Sequence, residues 1–301
     1  MPLILGMRIL VTGANGFLGH SLVPGLVQAG HEVLATGRGA CRLNAGLYTY
    51  AALDITDHPA VNALVNQFAP ALIIHAAAMT KPDECALHPA KAREINVDAT
   101  RNLLAAAGKM QSRFLYMSTD FVFDGLKGMY TETDIPSPVN EYGQTKWEAE
   151  KMVQQYPLPW TIVRTVLVYG KAIAGRANII SILKEKLLQQ QPYRVVDDQV
   201  RTPTWVEDLA RGIVLIVNRQ ATGIWHLAGK DICTPYELAM DTAAILNADM
   251  SCITRVTADT FKEPARRPAR TGLCIEKARR ELGYEPVSIE EGLRRSLVDG
   301  S

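Results

Sequence analysis

Three glycines spaced three apart constrain this chain more than any other feature. They are Gly13, Gly16 and Gly19, within residues 8–19, RILVTGANGFLG. Ile9, Leu10 and Val11 just before them form a short apolar run of the kind that makes a strand buried on both faces. After them, a helix-compatible apolar segment runs from Phe17 towards Gly30. A strand, a glycine turn and a helix in this order make the first unit of a dinucleotide-binding fold. Gly13 permits the tight turn, Gly16 lets backbone N–H groups approach a pyrophosphate, and Gly19 lets helix and strand pack closely. The anion then meets the free N–H groups and dipole of a helix N-terminus. A glycine triplet also occurs in turns that bind nothing; the flanking strand and helix argue for the cofactor turn.

The rest of the chain repeats that rhythm. Strands are expected at 31–36, 48–53, 72–75, 114–117 and 161–167, and helices at 58–68, 91–107 (carrying Asn96) and 141–155. Such alternation means right-handed crossovers and a parallel sheet, whose ligands bind beyond the C-terminal strand ends. Gly13, Arg38, Asp54, Ala76 and Thr119 all fall at such ends, and Ala76, Ala77 and Ala78 are small, as suits backbone beside a cofactor. Further on the rhythm changes: helix at 178–190, strand at 194–196, helix at 206–217, strand at 225–227, helix at 235–247. The expected fold class is α/β, a Rossmann doubly wound parallel sheet with a smaller, partly interleaved α/β substrate domain. Residues 1–165 form the dinucleotide-binding domain, with 206–228 returning to it, and residues 166–205 and 229–301 form the substrate-binding domain.

Composition narrows the function classes. At 301 residues, 48% hydrophobic and 21% charged, the chain has ample material for a sizeable core. Its net charge of +1 provides no global field to recruit nucleic acid or an anionic membrane. The five cysteines are scattered and never in C-x-x-C spacing, which points to reduced thiols in a cytoplasmic protein and offers no zinc site. No acidic cluster supports a metal. The apolar start MPLILGMRILV is too short to span a bilayer and lacks a basic region before it, so neither a membrane anchor nor a secretory signal is expected.

Two further patterns carry chemistry. An NAD site usually places an acid at the end of the second strand to hold the ribose 2′-hydroxyl. This chain has Arg38 there, with Arg42 close behind and no carboxylate before Asp54. A guanidinium suits a 2′-phosphate, so NADPH is the expected cofactor and NADH stays open, as does a solvated arginine. Tyr142 and Lys146 stand four apart and share a helix face. Reduction of a carbonyl by hydride needs an acid for the developing alkoxide. Bringing a tyrosine from its usual pKa near 10 towards neutrality takes about 4 kcal/mol of differential stabilisation. A lysine ammonium supplies part of that, and Thr119 could bond the same carbonyl oxygen.

Four motifs then bring in a family: STDFVFDG, SPVNEYGQTKWEAE, VVDDQVRTPTWVEDLA and RPARTGL. In this order, over nearly the whole chain, they resemble the dTDP-4-dehydrorhamnose reductases of the extended short-chain dehydrogenase/reductase superfamily. That family reduces a 4-keto sugar nucleotide with NADPH or NADH on a Rossmann fold. The resemblance implies that Thr119, Tyr142 and Lys146 are catalytic. It implies that Asn15, Gly16, Phe17, Leu18, Arg38, Asp54, Ile55, Ala76, Ala77, Ala78, Tyr142 and Lys146 line the cofactor. Phe121 and Leu167 replace an aromatic hydroxyl residue and a tryptophan that face the sugar in the family, so the particular sugar stays open. Arg267, near Lys262, Arg266 and Arg270, suits a substrate diphosphate, or is one part of a solvated basic face.

Three other readings share the fold. A 4,6-dehydratase carries Asp-Glu after the threonine, and here Asp120 is followed by Phe121, so its base is missing. A 4-epimerase needs only the Tyr–Lys machinery and stays open. The chain also resembles the regulatory β subunit of methionine adenosyltransferase, a dinucleotide-binding relative that serves a partner enzyme. A homodimer is compatible with all of them.

Overall fold

The computed structural model describes residues 6–173 and 178–297; the apolar start at 1–5 lies outside them. Strands β1 (Arg8–Thr12), β2 (Glu32–Gly37), β3 (Thr49–Ala52), β4 (Leu72–His75), β5 (Arg113–Thr119), β6 (Trp160–Thr165) and, further along the chain, β10 (Gly223–His226) form one sheet. Its order is β10-β6-β5-β4-β1-β2-β3, and every pairing is parallel. The order reverses between β1 and β4, which opens a crevice at their C-terminal ends.

Period-two alternation explains the two layers on the sheet. Ile9, Val11, Ile74, Leu115 and Met117 point to one face, where α1 (Gly19–Gln28) and α8 (Val206–Asn218) contribute Leu22, Leu26, Ile213 and Ile216. Leu10, Ile73, Phe114 and Tyr116 point to the other, under α2 (His58–Phe68), α5 (Ala99–Lys109) and α6 (Glu141–Gln154), with Val61, Leu103 and Val153. Residues 206–223 therefore lie against the central sheet rather than apart from it: α8 packs beside α1, and β10 extends the sheet next to β6.

The remaining segments build a smaller body. β7 (Val168–Tyr169) pairs with β9 (Thr204–Trp205), and β8 (Tyr193–Val196) pairs with β11 (Ile253–Val256), both in parallel. Helices α7 (Ile179–Leu188), α9 (Pro235–Ile245) and α11 (Ile289–Leu297) enclose its cores, around Leu183, Val195, Ala239 and Ile253, and around Tyr169, Leu238 and Leu293. No helix among the described residues is long and apolar enough to cross a membrane.

One expected element is corrected. The helix expected at 91–107 is three pieces: α4 (Pro89–Arg93), a π-helical turn at Glu94–Asp98, and α5, preceded by the short α3 (Pro82–Leu87). The π turn rotates Asn96 inward, where its amide accepts from Met79 N (2.8 Å) and donates to Met79 O (3.1 Å) and Thr145 Oγ1 (3.1 Å). Single π turns inside α-helices are rare and frequently lie at functional sites. β6 also ends at Thr165, short of Leu167, which takes φ +31°, a left-handed backbone that ends extended pairing.

The glycine turn fixes how closely the first helix meets the sheet. A Cβ on Gly19 would stand 2.0 Å from the Ala14 carbonyl oxygen, and one on Gly13, at φ +73°, would stand 2.7 Å from Ala77 N. Both obstacles are backbone and cannot rotate away. Gly19→Ala is therefore expected to destabilise the protein by about 2–3 kcal/mol, read as a lower urea midpoint; an unchanged midpoint would contradict this packing.

Candidate active site

Gly13, Arg38, Asp54, Ala76 and Thr119 gather at the crevice because each follows, or ends, a parallel strand of one sheet. The close approach of Gly13 to Ala77 leaves no room for larger side chains at the crossing, and Ala77 N donates to Thr12 Oγ1 (3.2 Å). Thr12 Oγ1 in turn sits 2.8 Å from Nδ1 of His75, whose Nε2 lies 3.1 Å from Thr100 Oγ1. Burial holds that imidazole neutral by lowering its pKa to about 3. It therefore acts as a neutral strut beneath the turn.

Asn15 turns out to be a bracket. Its amide donates to Arg38 O (3.2 Å), Ala40 O (2.9 Å) and Tyr50 Oη (2.8 Å) and accepts from Arg42 N (2.9 Å). The side chain is thus spent on shaping the loop that carries Arg38, and only its backbone is left for a phosphate. Asp54 accepts from Thr56 N (3.0 Å) and Thr56 Oγ1 (2.8 Å). These bonds, with Arg38 nearby, hold its carboxyl below the usual range.

Thr119, Tyr142 and Lys146, the expected trio, come together from β5 and α6. Asn140 caps α6 by accepting from Gly143 N (2.8 Å), and its amide donates to Arg266 O (2.7 Å). The cap places Tyr142 and Lys146 on the buried face of α6, 9% and 3% exposed. Lys146 Nζ donates to Met117 O (2.7 Å) and lies 4.1 Å from the Tyr116 ring centroid. The Tyr142 phenol meets the Thr119 hydroxyl and is flanked by Cys85 and by Phe121, whose ring stands edge-on to it at 5.8 Å.

The electrostatics correct one expectation. Lys146 was expected to draw Tyr142 down towards neutrality. Instead, burial raises the phenol well above its usual range, Asp120 adds to that, and only the bond to Thr119 opposes it. Burial also lowers Lys146 to about 7. With burial lowering its own pKa, Lys146 does not overcome the desolvation of the phenol. Tyr142 stays protonated, which is the form an acid needs.

Three residues that sequence reasoning did not single out complete the site. Thr119 Oγ1 donates to Asp120 Oδ1 (3.0 Å), and Thr271 Oγ1 makes a short bond to Asp120 Oδ2. Arg201, buried behind them, donates to Val200 O (2.9 Å), Ala269 O (3.0 Å), Pro268 O (2.7 Å) and Gln199 Oε1 (3.1 Å). Burial raises the Asp120 carboxyl, and the Arg201 charge pulls it back. The signal lay in the motifs themselves: STD, QVRTP and RPART carry Asp120, Arg201 and Thr271, and the fold brings the three stretches to one point.

Two expected substrate residues have partners within the chain itself. Arg267 forks onto Asp83 (3.0 and 2.7 Å) and also reaches Glu263 (2.7 Å). With two carboxylates on it, its charge is already answered and is no open anchor for a diphosphate; Lys262, Arg266 and Arg270 beside it are exposed. Leu167 packs between the two bodies, half-buried, its carbonyl held by Thr204 N (3.2 Å).

Comparisons with known proteins give the chain's family and fold. The family model described as RmlD substrate binding domain matches residues 7–300. The chain is 36% identical to the dTDP-4-keto-6-deoxy-D-glucose reductase of Streptomyces niveus, over 93% of this chain and 92% of that one. It is 30% identical to methionine adenosyltransferase 2 subunit beta of Bos taurus, over 97% and 89% respectively. Among solved structures it is similar to the dTDP-4-dehydrorhamnose reductase of Bacillus anthracis in complex with NADP, at TM-score 0.84 and 29% identity, covering 98% of this chain and all of that one.

The Asp120 cluster makes a direct prediction. Thr271→Val keeps the volume but leaves a buried carboxylate short of one donor, which should cost about 1–3 kcal/mol. The denaturation midpoint measures this, and a wild-type midpoint would mean that Asp120 does not depend on Thr271.

Proposed function

As the chain belongs to the family of the RmlD substrate binding domain, we propose that it is an NADPH-dependent oxidoreductase reducing the C4 carbonyl of a nucleotide-linked 4-keto sugar. The observation that carries this reading is the buried set Thr119, Tyr142 and Lys146 beside a turn that excludes side chains at Gly13 and Gly19. That turn fits a dinucleotide: a Cβ at Gly13 or Gly19 would strike the backbone of Ala77 or Ala14, so both positions keep the turn tight and the helix close, and Gly16 between them leaves bare N–H groups for the pyrophosphate. Two relatives support the reading: a reductase of a 4-keto sugar nucleotide and a structure holding NADP.

Residues Gly13 to Gly19 and Ala76 to Ala78 would line the cofactor, with Arg38 at the adenosine ribose. Bound there, NADPH supplies the hydride for C4. Tyr142 gives its phenolic proton to the C4 oxygen as charge develops on it. Thr119 would turn its hydroxyl proton from Asp120 to the same oxygen, donating to it and fixing the carbonyl's direction. Lys146, when charged, stabilises the phenolate that Tyr142 leaves behind. Burial does the rest, since a dry site strengthens each of these interactions. Residues 166–205 and 229–301 would hold the sugar nucleotide. The five described cysteines are all free, in keeping with a reducing cytoplasm.

The regulatory-subunit reading uses the same cofactor turn but has no need of the trio. Burying a lysine and a phenol without chemical use costs stability, and this chain keeps both. The dehydratase reading lacks its base at Phe121.

The test is a panel of 4-keto sugar nucleotides with NADPH, its oxidation followed by absorbance; no turnover of any member would overturn the reading. Tyr142→Phe should keep cofactor affinity while losing on the order of 10²–10⁴ in kcat, and near-normal turnover would remove Tyr142 from the reaction. Arg38→Ala should weaken NADPH by roughly 1.5–3 kcal/mol, the range for a hydrogen bond to a charged group, and spare NADH. Equal NADPH affinity in both proteins would exclude a bond from Arg38 to the 2′-phosphate.

A further inference from the structure

Behind the trio lies a second layer of charge. On α6 the residue one turn after Lys146 is Glu150, so Tyr142, Lys146 and Glu150 form one buried stripe at four-residue spacing. Glu150 is fully buried and grips Arg164 of β6 in a fork, at 2.9 Å from Nε and 2.6 Å from Nη2. Arg164 is itself buried. Its guanidinium stands 5.1 Å from the Phe123 ring centroid and 3.5 Å from His226 Nε2. The layer therefore sets Glu150 beside two basic side chains, Lys146 and Arg164, with a second carboxylate, Glu132, accepting from His226 N (3.1 Å) and facing Arg164, and no carboxylate hydrogen-bonds Lys146 directly among the described residues.

We propose that Glu150 is a positioning residue of the site: its carboxylate, anchored by Arg164, is the counter-charge that lets Lys146 carry a proton while buried. Three features of the structure support this. The fork fixes the carboxylate so that it cannot swing to water. Arg164 uses part of its charge, so the field at Lys146 is set by the balance between the two. The other groups facing Lys146 offer no replacement. His75 of β4 is held neutral, Tyr116 of β5 presents its ring, Cys85 of α3 is raised to about 11 and so stays a thiol, Tyr142 stays protonated, and Asp120 is committed to Thr119 and Thr271. The carboxylates and cations on the outer side of the neighbouring helix pieces pair at the surface, as Lys91–Glu94, Arg93–Glu148 and Asp98–Arg101. Burial brings Lys146 to about 7, and the Glu150 charge is the largest influence opposing that fall. Lys146 thus sits where a modest change in this balance decides whether it is charged.

The proposal deepens the reductase reading, and its test does not depend on finding the sugar. The titration of the Lys146 ¹³Cε resonance in the full-length, ¹³C-lysine-labelled protein, assigned with Lys146→Arg, reports the charge directly. Glu150→Gln should move the midpoint down by about one pH unit or more, and Arg164→Met should move it up, because an opposite charge close by favours the charged form. Opposite signs are the signature; a purely structural ion pair would leave the midpoint unmoved or shift it the same way in both variants, and either result overturns the proposal. Should Glu150→Gln strand Arg164 and fail to fold, Glu150→Gln/Arg164→Gln leaves no orphan charge. Its midpoint should still lie below wild type, and a wild-type midpoint overturns the proposal. Where turnover is measured, the limb of the pH–kcat profile that reports Lys146 should move with the resonance, in the same two directions.

Discussion

Lys146 is an ionisable amine placed between a helix and a parallel sheet, and the rest of the site follows from the cost of charging it there. An ammonium out of water loses several kcal/mol of solvation unless other groups replace it. Here the Met117 carbonyl and the Tyr116 ring face supply what an uncharged partner can, and burial still lowers the amine to about 7. The same dryness raises Tyr142 and Asp120. The site's acid is therefore kept in its protonated form by desolvation, with Thr119 as the one group acting the other way.

Desolvation also explains how the two bodies are joined. Asp120 cannot be buried unpaired, and its partners come from far along the chain: Thr271 directly, and Arg201 by charge and by holding Pro268 and Ala269. Asp83 does the same at the rim, taking Arg267 and Ala265 N (3.1 Å). Two carboxylates on the sheet side thus tie the late segment 265–271 over the crevice. Apolar packing joins the two bodies too, since Leu273, Ile275, Ala278, Leu282 and Tyr284 lie in the core of the central sheet.

Much of this was legible in the sequence because it is local. The glycine turn, the α2 and α6 helices and strand β4 are written in periodicity and caps, and the α/β class follows from their alternation. That Thr119, Tyr142 and Lys146 would lie together was legible because strand-end position and four-residue spacing are local too. What was hidden depends on contacts between distant residues. No local pattern says that Asn15 is consumed by the loop of Arg38, that Arg267 meets Asp83, or that Asp120 needs Thr271. The π turn at Glu94–Asp98 was missed for the same reason, since Asn96 clamps Met79 and Thr145 from outside its own helix. The sign of the Tyr142 shift was misread because burial, which outweighs the lysine, cannot be seen in a motif.

The central claim is that this buried site delivers a proton to the oxygen of a C4 carbonyl whose carbon receives hydride. The most direct measurement gives the protein a 4-keto sugar nucleotide together with NADPH carrying deuterium at both positions of nicotinamide C4, and then locates the label by NMR. The account predicts one deuterium at sugar C4, with none at C5 or C6 beyond solvent background, and one equivalent of NADPH consumed per product. A product labelled elsewhere, or a cofactor that binds and is never consumed with any such sugar, would contradict it.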